Sequence, residues 1–264
     1  MDKKPTYLFL ENVYNFERSN TRKILVDALV EAGYLIEEFI VSPLQLGIPN
    51  DRLRYYLLAK MCTNNQTDLI KNYNLQPVDK LIKTQFPVQT FEFLKSTFKN
   101  LNINIQDGDI SSDHSASNFL DSDAELSRYS DLSVPIEYVS RRNNYNFDVV
   151  NSKSKKCATF TKVSCEEILK KLENGDDSDI IEFVKTLKLR FFSPNELAQF
   201  MCFPVSSPNP ENKYQPYPDP DLGQNIVLDF PQKVSIRQQH QLIGNSVNVA
   251  VISCLIHHLF SLHV

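Results

Sequence analysis

The chain has 264 residues, 42% of them apolar or aromatic, enough for one sizeable α/β domain or one domain with a smaller insert. Its 28 basic and 32 acidic residues leave a formal charge of −4, which excludes a general electrostatic drive toward nucleic acid or an anionic membrane, so any such binding rests on local patches. Five cysteines form no Cys-x-x-Cys, so no metal site is expected, and their odd number and scatter suit thiols in a reducing compartment.

Met1-Asp2-Lys3-Lys4 runs directly into a strand-like segment, so no signal peptide is expected, and no apolar stretch is expected to reach the roughly 18 residues of a membrane span. The chain reads as soluble and intracellular.

Tyr7-Leu8-Phe9-Leu10 reads as a strand buried on both faces, as in a parallel sheet, delivering Glu11 and Asn12 at the carboxyl end where such sheets carry their working residues. Glu11 is either a group for chemistry or a surface carboxylate after a core strand. The spacing predicts a helix over 21–32 with positions 24, 25, 28 and 29 on one face, capped by Ser19 or Asn20 and ended by Gly33. Strands follow at 34–41 and 53–60, separated by an irregular stretch ending in the turn Pro49-Asn50-Asp51. Arg52 and Arg54 alternate along the second of these and share one face. Two guanidiniums there either grip a phosphate or carboxylate or are solvated.

From Met61 to Lys156 periodicity is weak. Short helices are predicted at 77–82 and 91–98, and a mobile acidic loop near 108–131. Arg141-Arg142, with Tyr145 and Phe147, reads as plain surface. Lys153, Lys155, Lys156 and Lys162 bracket the most basic window, the best local candidate for a phosphate-backbone contact. Cys157 inside it reads as a structural thiol, since no histidine is close in sequence to act as base.

Residues 180–189 are helix-like. Ser193-Pro194-Asn195-Glu196 is a capping box that opens a helix ending near Cys202-Phe203-Pro204. After a proline-rich loop, 236–243 predicts a helix that Gly244 terminates. Asn245 or Ser246 then caps an apolar last helix over 247–262, leaving backbone amides for an anion or cofactor. His257, His258 and His263 read as surface residues.

Glu11-Asn12-Val13, Arg52-Leu53-Arg54, Phe192-Ser193-Pro194-Asn195-Glu196-Leu197-Ala198 and Gly244-Asn245-Ser246-Val247-Asn248 resemble, in this order, motifs of the cytosine-5 methyltransferases. The longer phrases Leu46-Gly47-Ile48-Pro49-Asn50, Lys188-Leu189-Arg190-Phe191-Phe192 and Arg237-Gln238-Gln239-His240-Gln241-Leu242-Ile243-Gly244-Asn245-Ser246 are similar to the DNA-methyltransferase-like branch that methylates cytosine in tRNA. The resemblance covers residues 5–60 and 156–264 well and the middle poorly. It implies a partial Rossmann-like, S-adenosylmethionine-dependent methyltransferase fold of the α/β class, lacking its first strands and carrying an inserted α+β target-recognition region. The methyltransferase core would occupy 1–60 and 191–264, with target recognition at 61–190.

The resemblance also implies roles. Glu11 would contact the ring N3 of a flipped cytosine and Arg54 would hold that base, with Arg52 supporting. Asn245, Ser246 and Val247 would lie beside S-adenosylmethionine. Lys155, Lys156, Thr159, Phe160, Thr161 and Lys162 would meet the substrate, tRNA or alternatively DNA. A cytoplasmic or nuclear location goes with it.

The departures are as specific as the matches. The family's Gly-containing cofactor loop, ribose-holding acid and Pro-Cys nucleophile have no counterpart, and the tRNA branch's Cys-Phe-Thr stands here as Thr159-Phe160-Thr161, with Cys157 two residues away. Three explanations are open: a fragment of a longer enzyme, one subunit of a split enzyme with a complementing N-terminal partner, or a catalytically inactive nucleic-acid-binding or regulatory relative. S-adenosylmethionine binding is expected only where an N-terminal half is supplied.

Overall fold

The computed structural model describes residues 4–62, 78–97, 104–106, 109–111, 115–129, 132–135, 150–158, 186, 189–205, 217–218 and 225–262. The principal elements in chain order are β1 (Tyr7–Val13), α1 (Asn20–Glu31), β2 (Tyr34–Val41), β3 (Asn50–Asp51), β4 (Arg54–Met61), β5 (Ile82–Lys83), α2 (Thr90–Thr97), β6 (Cys157–Ala158), α3 (Pro194–Phe200), α4 (Ile236–Gly244) and α5 (Val249–Ser261). They form two units, one of residues 1–48, 52–112 and 249–264, the other of 49–51 and 113–248.

In the first unit the sheet order is β1-β4-β2-β5. β4 is antiparallel to both β1 and β2, so those two run parallel to each other with β4 between them, and β5 is parallel to β2. The expectation of a β1 buried on both faces is corrected here. Among the described residues β1 pairs with β4 alone; its middle is half-buried, and Val13 is 59% exposed. A four-residue apolar run reports its side chains, not the number of strands beside it.

α1 packs on one face of the sheet. Ser19 Oγ accepts from the Arg22 amide at 3.0 Å and starts the helix, while Gly33, at φ 91°, turns the chain out of it in a conformation that costs glycine little. Val26 and Leu29 are buried against Ile36, Tyr55, Leu57 and Ala59. The buried stripe is 22, 25, 26 and 29 rather than the expected 24, 25, 28 and 29, and Ile24 is 61% exposed. Arg22 holds a place on that stripe because its Nε donates to Glu38 Oε1 at 2.8 Å inside the core.

α5 brings Ala250, Val251, Cys254, Leu255, His258 and Leu259 into burial, with His258 edge-on to Phe39 of β2. The expected surface histidines are corrected. His258 is 5% exposed, with Nε2 2.6 Å from Glu37 and Nδ1 2.9 Å from Gln89, and His257 stacks on Phe93 at 4.3 Å. His263 lies outside the described residues. By length and composition alone, 236–261 does reach that of a membrane span; the chain leaves helical structure at 245–248, and the apolar side of α5 is spent on the core of the first unit.

The second unit is organised around α3. Pro194 takes the first helical position, and the Ser193 and Glu196 capping box forms as its residue types predict. Glu196, at 0% exposure, also receives Arg190 in a two-bonded fork of 2.7 and 2.6 Å. The mobile acidic loop expected near 108–131 is corrected over 115–129, which fold into a 3-10 turn and a one-turn helix capped by Ser122. Phe119 stacks on Phe200 at 5.1 Å, and Asp121 accepts from Ser193, Asn195 and Gln199. An acidic run reads as solvated until the donors that satisfy it arrive from 72 to 78 residues away.

α4 has a further capping box, Ser235 with Gln238. Gly244 is its last residue, and Asn245 follows as the C-cap. The predicted helix at 180–189 and the basic spot at Arg141-Arg142 fall outside the described residues, except for Thr186 and Leu189.

Candidate active site

Glu11 stands on β1 directly opposite Tyr56 of β4, and two pairs further along Val13 stands opposite Arg54. In an antiparallel ladder opposed side chains share a face, as do positions two apart on one strand. Glu11, Arg54 and Tyr56 therefore project to the same side at the carboxyl end of β1. Arg54 Nε lies 3.5 Å from Glu11 Oε1, the two side chains 19% and 27% exposed, so neither is the freely solvated group that each could have been. Arg54 Nη1 also donates to the Leu53 carbonyl at 2.8 Å.

Arg52 is 9% exposed. Burial pulls its guanidinium below the ordinary arginine value, the Arg54 charge adds to that pull, and Glu11 and Tyr56 resist it. The solvated alternative for this pair is thereby removed. Tyr56, 2% exposed, is the member that sequence reasoning missed. Burial and then the Glu11 carboxylate push its phenol well above the ordinary tyrosine value, against Arg52 and Arg54. The alternation that joined 52 to 54 extends to 56, and that signal was available.

The arrangement is a half-buried carboxylate beside one guanidinium, with a second, buried guanidinium and a neutral phenol near enough to act on it through their charge and burial. It presents an acceptor and several fixed donors at a rim that a planar, hydrogen-bonding group can approach. No thiol accompanies it among the described residues. Cys62 is half-buried one residue beyond β4, about 20 Å along the strand from Tyr56 at ordinary strand rise, and Cys157, Cys202 and Cys254 are buried.

The residues expected beside a cofactor belong to the second unit. Asn245 is exposed, and its N–H closes α4 by donating to the Gln241 carbonyl at 3.0 Å. Ser246 Oγ donates to the Ile243 carbonyl at 2.5 Å, and Val247 is half-buried. Asn245 and Ser246 thus serve the end of α4 rather than capping the last helix, which begins at Val249. Asn245 and the main chain of Val247 fit a group that needs amide partners, and residues 244–248 contain no carboxylate to hold a ribose.

In the basic window Lys156 Nζ is 2.7 Å from Asp51, an intramolecular partner in place of a phosphate, while Lys155 is exposed. Cys157 is 1% exposed in β6 and its amide donates to the Pro49 carbonyl at 2.9 Å, as a structural thiol would. Thr159, Phe160, Thr161 and Lys162 lie outside the described residues.

Residues 1–261 match the family model for C-5 cytosine-specific DNA methylases. The chain is 28% identical over 308 aligned positions to a human tRNA (cytosine(38)-C(5))-methyltransferase, covering 98% of this chain and 72% of that protein. It is 29% identical to a DNA (cytosine-5)-methyltransferase of Dictyostelium discoideum, covering 97% and 66%. Among solved structures, a mutant form of Spodoptera frugiperda DNMT2 superposes with a TM-score of 0.64 at 28% identity, covering 97% of this chain and 67% of that one.

Proposed function

The chain belongs to the C-5 cytosine-specific DNA methylase family, and from that premise we propose that it serves methyl transfer to C5 of a cytosine in tRNA. The single observation that carries this reading is the Glu11, Arg52, Arg54 and Tyr56 cluster, which is built as a recognition edge for a flipped pyrimidine. The relatives named for tRNA support that substrate over DNA, and the Dictyostelium relative keeps DNA as the alternative.

The family implies S-adenosylmethionine as methyl donor; when bound, it supplies an electrophilic methyl group. Asn245, Ser246 and Val247 are the residues of this chain proposed to face it. Glu11 would bind at the ring nitrogen and favour nucleophilic addition at C6, after which C5 is the electron-rich atom. Arg54 would donate to the base while holding Glu11 in place, and Arg52 would keep positive charge behind both.

The nucleophile is proposed to come from outside these 264 residues. No Pro-Cys dipeptide occurs in the sequence, and Cys62 is too far along its strand. A polypeptide bearing a Gly-containing cofactor loop and a Pro-Cys would pair along the side of β1 that has no partner strand among the described residues, where Leu8, Phe9 and Leu10 are half-buried. The cytoplasm or nucleus is the proposed location, in keeping with cysteines that remain thiols.

The test combines this chain with such a polypeptide from a relative and measures transfer of labelled methyl groups to tRNA. Transfer is expected, with loss in Glu11→Gln. Absence of transfer by the folded wild-type mixture sinks the reading.

A further inference from the structure

The carbonyl of Phe200 is the last of α3, where intrahelical donors run out. The two preceding carbonyls are served locally: the Cys202 amide donates to Gln199 O and the Phe203 amide to Ala198 O, both at 2.9 Å, with Cys202 turned to φ 60°. The Phe200 carbonyl is served from two remote parts of the chain. Asn50 Nδ2 donates to it at 3.2 Å and Asn248 Nδ2 at 3.1 Å, which engages both of its acceptor positions. The two asparagines are 0% and 1% exposed. Asn50 also reaches Met201 Sδ at 3.3 Å, and Asn248 reaches Cys202 Sγ at 3.7 Å.

Each asparagine ends a segment that the preceding reading needs in place. Asn50 is two residues before Arg52, in a stretch further held by the β3–β6 pairing and the Lys156 to Asp51 ion pair. Asn248 closes the Asn245 to Val247 loop and immediately precedes α5. Two segments almost 200 residues apart in sequence thus share one acceptor oxygen. Neither segment can shift without leaving a buried amide or half of a buried carbonyl short of a partner, which is costly away from water.

We propose that Asn50 and Asn248 are positioning residues, and that their common hold on the Phe200 carbonyl couples the loop at 245–247 to the segment that presents Arg52 and Arg54. The proposal rests on the methyltransferase reading for its functional consequence, and on hydrogen-bond geometry alone for the coupling. Reciprocity follows: anything that orders one segment stabilises the other.

The experiment uses the full chain with Asn248→Asp and Asn50→Asp, which keep shape and remove the N–H donors, and Asn248→Ser should either aspartate variant fail to fold. Hydrogen exchange of peptides spanning 48–55 and 244–252 is read alongside tRNA affinity, with Arg52→Ala and the double variant Arg52→Ala/Asn248→Asp for comparison. Asn248→Asp is expected to speed exchange about tenfold in both peptides, the scale of one lost hydrogen bond, and its affinity loss is expected not to add to that of Arg52→Ala. Exchange that changes only in the mutated segment overturns the coupling, and so do fully additive losses. Wild-type chain without tRNA affinity would instead count against the proposed substrate, while the exchange result would still decide the clamp.

Discussion

Tyr56 lies directly across the β1–β4 ladder from Glu11, with its side chain 2% exposed beside a carboxylate. Burial is the larger influence on the phenol and the Glu11 charge the next, so Tyr56 stays protonated where ordinary tyrosines ionise. In a spectrophotometric titration carried to roughly pH 11, one unit above the ordinary tyrosine value, Tyr56→Phe is expected to leave the tyrosinate amplitude unchanged. A loss of tyrosinate amplitude in Tyr56→Phe would show that the phenol is not held neutral.

Arg22 and Glu38 form the buried ion pair between α1 and β2, their side chains 7% and 0% exposed, with the Tyr55 hydroxyl also donating to Glu38. Arg22→Met strands the carboxylate and is expected to cost about 3–5 kcal/mol in urea unfolding. Arg22→Met combined with Glu38→Gln should recover part of that loss, because no unpaired charge remains. A double variant as unstable as the sum of the singles would contradict the pairing.

Glu37 points to the opposite face. Burial raises its carboxyl, but hydrogen bonds and charge from His258 and Lys83 outweigh burial and hold it below the ordinary value of 4.5. A carboxylate whose folded value is lowered contributes stability that is present above its unfolded value and lost as pH falls through the folded one. Unfolding free energy is therefore expected to decline below pH 4.5, and Glu37→Gln to flatten that limb while lowering stability at neutral pH. An acid limb of unchanged steepness in Glu37→Gln would assign the decline to other groups.

Ser193 and Ser235 both close capping boxes, but in different surroundings. Ser193 is fully buried and its hydroxyl also donates to Asp121 at 2.5 Å, whereas Ser235 is exposed. Ser193→Ala is expected to cost about 2 kcal/mol or more, a cap plus a hydrogen bond to a charged group, and Ser235→Ala about 1 kcal/mol or less. Equal losses in denaturant unfolding would mean that the Asp121 contact adds nothing.

Much of the local structure was legible from residue types. β2 was readable from its apolar residues, α1 from Ser19 and Gly33, and α3 from its capping box, since each depends on groups only a few residues apart. The face that α1 buries was not legible, because Arg22 reads as a solvated residue until Glu38 arrives from the sheet. The burial of 115–129 was hidden in the same way: its acidic residues look solvated without the donors of α3.

The sequence by itself determined β2, α1 and α3, and the ordered motifs that mark the family, because side-chain chemistry and short spacings are written into it. It also placed Glu11 at a strand end and Arg52 and Arg54 on one face, since a strand's alternation is geometric. Only the tertiary structure decided that β4 runs between β1 and β2, and so which residue stands opposite Glu11. It alone brought Asn50 and Asn248 to one carbonyl. Ladder register and remote hydrogen bonds are set by packing over the whole chain, and no window of neighbouring residues contains them.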